Sequence, residues 1–500
     1  MIEEPGARRV DLRRLGRYAG PLLALGVYGA FPESYVSAQG DLVPLTDACR
    51  ATAAVGVWMA VWWMTEAIPL YATALLPLAM FPLTGAADLE AAATPYAHEL
   101  IYLFMGGFVL ALSMQRWGLD RRISLHTLRW AGTRPTRIVA AFMGVTATLS
   151  MWVSNTATAV MMLPIALGVI GLVERRSEGS AFAPCLLLGL AYAASIGGVG
   201  TIIGTPPNLF LVSYVKSHLG IEIGFARWML VGLPVVALFL PLAWLVLTRV
   251  LHPPRVASVE GGAEHIRELL AGLGAMKRGE WITLCVFSVT AFAWLTRPWL
   301  TAWRWGDLQP LAGLSDPGIA ILAALSLFLI PAEREPRVFT MDWETANRLP
   351  WGLLILFGGG LSLSAAIRAN GLGEFLGHSI HFLHGVPAVW IVGGAVALMI
   401  FLTEITSNTA TAATLIPIFA SLAPGLGVEP LALIVPVTIA ASCAFMLPVA
   451  TPPNAVVFGS GHLGIGQMCR AGVWLNLLGI LLITGLCQWL VVRLLLLTPA

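Results

Sequence analysis

Two polar hexapeptides stand in an otherwise apolar chain: Ser154-Asn155-Thr156-Ala157-Thr158-Ala159 and, letter for letter, Ser407-Asn408-Thr409-Ala410-Thr411-Ala412. A proline follows each at the same distance, Pro164 and Pro417, and each copy is later followed by Thr-Pro-Pro-Asn, at Thr205–Asn208 and Thr451–Asn454. Ser, Asn and Thr are preferred helix N-caps, so a helix is expected to begin at each copy. Its free N–H groups and positive dipole end would point into a cavity. Two such ends facing each other would hold two carboxylates, one each. A single Ser-Asn-Thr in an apolar helix is more often a packing or capping feature. Its duplication beside matched Pro-Pro-Asn motifs reverses that weighting. No Ser/His pair, aspartate pair or His-Glu-x-x-His set stands at membrane depth, which argues against an intramembrane enzyme, and no P-loop is present for ATP. A channel would not need duplicated closed hairpins around one site.

The elements that position these residues follow from composition. The chain has 500 residues, 57% hydrophobic and only 11% charged, against about 25% charged in soluble proteins. Apolar stretches such as Ala51–Thr65, Ala67–Leu83, Trp228–Val250, Trp281–Leu295 and Val473–Leu497 approach or reach the roughly 17–25 residues of a bilayer-spanning helix. An all-α polytopic membrane protein is predicted. The net charge of +2 suggests no nucleic-acid partner. The six cysteines are scattered, mostly within apolar runs, as small hydrophobes rather than metal ligands. Arg8, Arg9, Arg13, Arg14 and Arg17 precede the first apolar segment with no cleavage site after it. The positive-inside rule therefore puts the N-terminus in the cytoplasm of a multi-pass protein of the cell's inner (plasma) membrane. Segments 119–137, 171–180, 252–280 and 333–349 are rich in Arg and Lys, whereas 32–49, 218–227, 297–316 and 371–387 hold far fewer. That alternation gives about eleven spans and an outer C-terminus.

The chain divides into a first repeat, 1–251, a cytoplasmic linker, 252–280, with a short amphipathic helix near 264–270 on the membrane surface, and a second repeat, 281–500. Met105-Gly106-Gly107-Phe108 aligns with Phe357-Gly358-Gly359-Gly360, and Trp117-Gly118-Leu119 with Asn370-Gly371-Leu372. The repeats carry opposite loop charge, so they are inverted, as alternating access requires. About ten apolar residues on either side of each polar trio are too few for two full spans. Re-entrant hairpins are expected over 138–170 and 389–422, with half-membrane arms such as 138–153 and 157–170. The Pro-Pro pairs predict broken helices over 181–215 and 430–459, whose unwound centres expose oxygen atoms suited to Na⁺. Residues 138–170 and 388–459 contain no Lys, Arg or His, so helix dipoles and co-bound cations would have to offset an anion. Glu66 and Glu404 are intramembrane carboxylates with functional and structural readings of equal weight. For His378, His381 and His384, a surface helix is the preferred reading over a metal site.

Ser-Asn-Thr twice, Thr403-Glu404-Ile405-Thr406 directly before the second copy, both Pro-Pro-Asn motifs, and Trp62-Trp63-Met64-Thr65-Glu66-Ala67-Ile68-Pro69-Leu70 resemble the divalent anion/sodium symporter family over nearly the whole chain. The resemblance implies a homodimer, each protomer with a scaffold domain and a moving transport domain that works as an elevator. It implies a small dicarboxylate or related divalent anion as substrate, usually with two or more Na⁺. Carried onto this chain, Asn155, Thr156, Ser407, Asn408 and Thr409 would bind substrate, completed by Thr205, Thr451 and Pro452. One Na⁺ would use Ser150, Ser154, Asn155 and Gly204, and another Thr403, Thr406, Asn408 and Ala450. Na⁺-independent dicarboxylate exchange, and citrate or sulfate transport, stay open beside C4-dicarboxylate symport.

Overall fold

The computed structural model describes residues 12–36, 41–174, 181–254, 258, 259, 261–333, 338–379, 385–491, 493 and 494. Helices dominate. In chain order the principal ones are α1 (Leu12–Ala30), α2 (Asp47–Thr65), α3 (Glu99–Trp117), α4 (Leu119–Leu128), α5 (Pro135–Ser150) and α6 (Asn155–Glu174). There follow α7 (Phe182–Gly198), α8 (Pro206–Tyr214), α9 (Phe225–Leu245), α10 (Gly262–Gly272), α11 (Arg278–Ala302) and α12 (Asp316–Leu329). The last are α13 (Trp351–Ala369), α14 (Ala388–Thr403), α15 (Asn408–Leu422), α16 (Pro430–Ala441), α17 (Pro452–Phe458) and α18 (Ile465–Val491). Two short antiparallel strand pairs, Ser34–Val36 with Leu42–Pro44 and Pro331–Glu333 with Val338–Phe339, lie in connections. Among the described residues, six helices are long and apolar enough to cross a membrane, and several shorter apolar ones accompany them.

The chain forms two compact units. The first comprises 1–98, 351–387 and 409–430. In it α1 lies against α2 through Gly16 and Gly20, where a side chain would overlap Thr65 and Trp62, and the Trp62 indole donates to the Gly16 carbonyl at 3.0 Å. Thr46 caps α2 by accepting from the Cys49 N–H. Asn370, just past α13, donates to Thr52 Oγ1 and to the Ala86 carbonyl.

The second unit comprises 99–350, 388–408 and 431–500. Its centre is α7, every residue of which is buried, as expected of a helix apolar on all sides. It packs on α5, α6, α9 and α17. Elsewhere α3 meets α12 so closely that a Cβ on Gly106 would lie 2.6 Å from the Ala320 backbone. Small residues permit such backbone approach, which supplies much of the packing energy where lipid replaces water.

One expectation needs correction. The second arm of the first hairpin starts at Asn155 and runs 20 residues to Glu174, rather than occupying 157–170, and it is long enough to span. Pro164 lies inside it without ending it, and neither Gly168 nor Gly171 adopts the left-handed conformation that closes a helix. The linker helix forms, as α10, packs on α4 and α6 and buries Ile266. His381 and His384 lie outside the described residues. His378 sits near the end of a short helix, its ring 5.5 Å from that of Tyr35.

The α3–α12 contact generates a paired test. Gly106→Ala should lower thermal stability by about 1–3 kcal/mol through overpacking. Gly144→Ala, where a Cβ meets nothing within 4 Å, should be neutral or stabilise by up to ~1 kcal/mol. Thermal unfolding of both variants in detergent checks the difference.

Candidate functional site

At the first polar copy α5 ends at Ser150, the chain turns, and α6 starts at Asn155. Ser154 caps the new helix, its Oγ accepting the Ala157 N–H at 3.3 Å. The Asn155 side chain turns back toward the gap between α7 and α8. Its amide faces Ser150 Oγ at 2.5 Å and the carbonyl oxygens of Ala194 and Gly204 at 3.2 Å each. With nitrogen inward it donates to all three. With oxygen inward it accepts from Ser150 and completes a cluster of four oxygens, a donor set for a small hard cation. Gly198 leaves that cradle open, since a Cβ there would lie 2.8 Å from Asn155 Oδ1 and 3.0 Å from the Gly204 carbonyl. Ser150, Asn155 and Gly204 are thus brought together, with Ala194 added. The Ser154 hydroxyl serves the cap, and Thr156 is exposed.

The second copy repeats the arrangement. Thr403 ends α14, and its hydroxyl lies 2.6 Å from Asn408 Oδ1 and donates to the Ala441 carbonyl at 3.1 Å. These atoms correspond to Ser150, Asn155 and Ala194. Thr406, in the turn, donates to the Leu402 carbonyl near the end of α14. Ala450 is buried at the end of the second gap, and Ser407 is half-buried in the turn. Thr409 opens the part of α15 that groups with the first unit.

Both gaps are unwound segments closed by the Pro-Pro-Asn motifs. Thr205 and Thr451 are extended and immediately precede α8 and α17, whose first two residues are the prolines. Proline fits there because its missing N–H would be unpaired in any case. Thr451 accepts the Asn454 N–H at 3.3 Å, and Pro452 is exposed. Thr205 is buried, its hydroxyl 3.3 Å from that of Ser442. The second gap therefore touches the first inside one unit, where α17 packs on α6 and α7 and the Tyr192 and Phe445 rings are 5.1 Å apart.

Buried polar groups need partners, and the unwound backbone finds them in side chains. Asn208 Nδ2 donates to the carbonyls of Gly198, Val199 and Thr201, and Asn454 Nδ2 to those of Ala444 and Leu447. Beyond this the copies diverge. In the first, Thr201 accepts the Gly204 N–H and donates to the Met151 carbonyl. In the second, Glu404 stands where Met151 does, three residues before the serine. Its carboxylate accepts the N–H groups of Phe445, Met446 and Leu447 and the Asn476 amide, at 2.7–3.1 Å. Sequence reasoning passed over Thr201, Asn208, Asn454 and Asn476 as working residues. The recurrence of Asn after Pro-Pro signalled two of them, and nothing in the sequence marks Asn476.

The profile described as "Sodium:sulfate symporter transmembrane region" matches residues 41–497. The sodium-dependent dicarboxylate transporter SdcS of Staphylococcus saprophyticus is 41% identical over 485 residues, 95% of this chain and 91% of that protein. SdcS of Staphylococcus aureus is 42% identical over 440 residues, 86% of this chain and 84% of that one. Among solved structures, the Alcanivorax borkumensis YdaH transporter has a TM-score of 0.58 at 17% identity, covering 98% of each chain. Neisseria gonorrhoeae MtrF has 0.58 at 14% identity, covering 97% of this chain and 96% of its own. At such identity the two structures show likeness of fold alone.

Glu404→Leu would leave the N–H groups of the second gap without an acceptor, at a cost on the order of 3 kcal/mol. Glu404→Gln keeps one acceptor oxygen and should lose less. Tryptophan-fluorescence melting in detergent should rank the parent above Gln and Gln above Leu.

Proposed function

We propose, from the premise that the chain belongs to the sodium:sulfate symporter family, that it is a secondary transporter carrying a C4-dicarboxylate of the succinate, malate or fumarate type together with Na⁺. The observation that carries the reading is the matched pair of oxygen clusters, Ser150–Asn155–Ala194–Gly204 and Thr403–Asn408–Ala441, each at a helix start beside an unwound gap. The relatives named as sodium-dependent dicarboxylate transporters support it.

In this reading Asn155, Thr156, Ser407, Asn408 and Thr409 bind the substrate carboxylates, and Thr205, Thr451 and Pro452 complete the site. Ser150, Ser154, Asn155 and Gly204 hold one Na⁺, and Thr403, Thr406, Asn408 and Ala450 a second. A dianion brings two negative charges to segments without Lys, Arg or His. Two helix N-termini supply roughly half a positive charge each, and two Na⁺ more than offset the single charge that is left. Each solute then raises the affinity for the other, and that mutual stabilisation is the coupling. The proposal includes inverted repeats over 1–251 and 281–500, about eleven spans, a cytoplasmic N-terminus in the inner membrane, and a homodimer moving its transport domains as elevators.

Labelled succinate uptake into proteoliposomes tests the reading. An inward Na⁺ gradient should drive accumulation, and Asn155→Ala or Asn408→Ala should raise half-saturating succinate by about 10–100-fold, the loss of one hydrogen bond to a charged group. Uptake only into Na⁺-free vesicles preloaded with succinate would make the protein an exchanger. Na⁺-driven uptake of sulfate or citrate but not succinate would replace the substrate.

A further inference from the structure

The residues after each Pro-Pro pair perform a task that the binding roles above leave unassigned. Asn208 and Asn454 are fully buried in the first turn of α8 and α17. Each reaches back across its gap to carbonyls at the same two spacings. Asn208 holds Gly198 and Thr201, ten and seven residues upstream, and Asn454 holds Ala444 and Leu447, again ten and seven upstream. Asn208 also takes Val199, nine upstream. In both, the side-chain oxygen is buried and has no hydrogen-bond partner among the described residues, so each amide serves the gap through its N–H₂ group.

The gap that Asn208 closes ends at Gly204, whose carbonyl meets the Asn155 amide at 3.2 Å. The equivalent gap ends at Ala450. We propose that Asn208 and Asn454 are matched positioning residues that hold the two unwound loops closed and thereby set where the Gly204 and Ala450 carbonyls stand for Na⁺. The proposal rests on the Na⁺-coupled reading above. An unwound loop of this kind has no ladder of its own, and two or three carbonyls drawn to one amide nitrogen fix its curvature. Without the clamp the carbonyls of Gly198, Val199 and Thr201 lose their shared donor, the loop relaxes, and the Gly204 oxygen moves off the cluster. Neither asparagine touches the cation in this arrangement.

The test uses the full chain, purified and reconstituted. Half-saturating Na⁺ is measured from succinate uptake, and the Na⁺-induced rise in melting temperature is measured without substrate. Asn208→Ala and Asn454→Ala should each raise half-saturating Na⁺ by about tenfold or more, the usual effect of removing a residue that orients a metal ligand. Half-saturating succinate at saturating Na⁺ should stay close to the parent's, and the Na⁺-induced melting shift should shrink. Asn208→Ser and Asn454→Ser retain one donor and should fall between parent and Ala; they are read in place of any Ala variant that does not fold. Folded variants with the parent's Na⁺ dependence would overturn the proposal, as would a loss of succinate affinity with Na⁺ affinity intact. A parent indifferent to Na⁺ in both measurements would overturn the symport reading and the proposal together, and that failure is seen before any variant is compared.

Discussion

A helix that unwinds away from water must find other partners for the N–H and C=O groups it releases, and the architecture around both gaps answers that demand. In each, an asparagine amide gathers carbonyls, and an oxygen-bearing group ties the loop to the neighbouring hairpin turn. The unwinding in the first gap also leaves the Gly204 oxygen facing the Asn155 side chain. In the proposed reading, structural repair and Na⁺ binding draw on one small set of backbone groups, and neither changes without the other.

Close backbone approach makes this possible. A Cβ on Gly197 would meet the Ala147 backbone, one on Gly198 the Asn155 amide, and one on Gly204 the Gly198 carbonyl. Glycine is required at these places for its lack of volume, all three having ordinary negative φ. Trp228 adds a further donor, its indole nitrogen meeting the Val199 carbonyl at 3.0 Å. Because α7 is buried along its whole length, the gap that follows it is held by a rigid frame on one side. Backbone supported this way keeps its geometry even though it is irregular.

Much of this was legible in the residues. The duplicated Ser-Asn-Thr marked where α6 and α15 begin, because capping chemistry is local and independent of tertiary context. The Pro-Pro pairs marked where α8 and α17 restart, for the same reason. Helix length was less legible: α6 runs on to Glu174 because its proline is tolerated within packed surroundings, and propensity alone does not register that. Ala194, Ala441 and Thr201 were invisible, two contributing carbonyls that every residue possesses and one standing in no motif. Glu404 stood out as a charge in an apolar run, but its partners are backbone N–H groups some forty residues away and an amide on α18. Contacts at that separation depend on the path of the chain, which no local pattern encodes.

Met151 and Glu404 occupy equivalent places in the two copies, yet one offers a backbone carbonyl to a threonine and the other a carboxylate to three peptide N–H groups. The two turns are thereby not interchangeable parts. Met151 set alone into the second turn would place a thioether against three N–H groups that need an acceptor. The reverse exchange would bury a carboxylate beside a gap that is tied by a threonine hydroxyl. Each turn is matched to its own gap, so a change on one side of the match calls for a compensating change on the other.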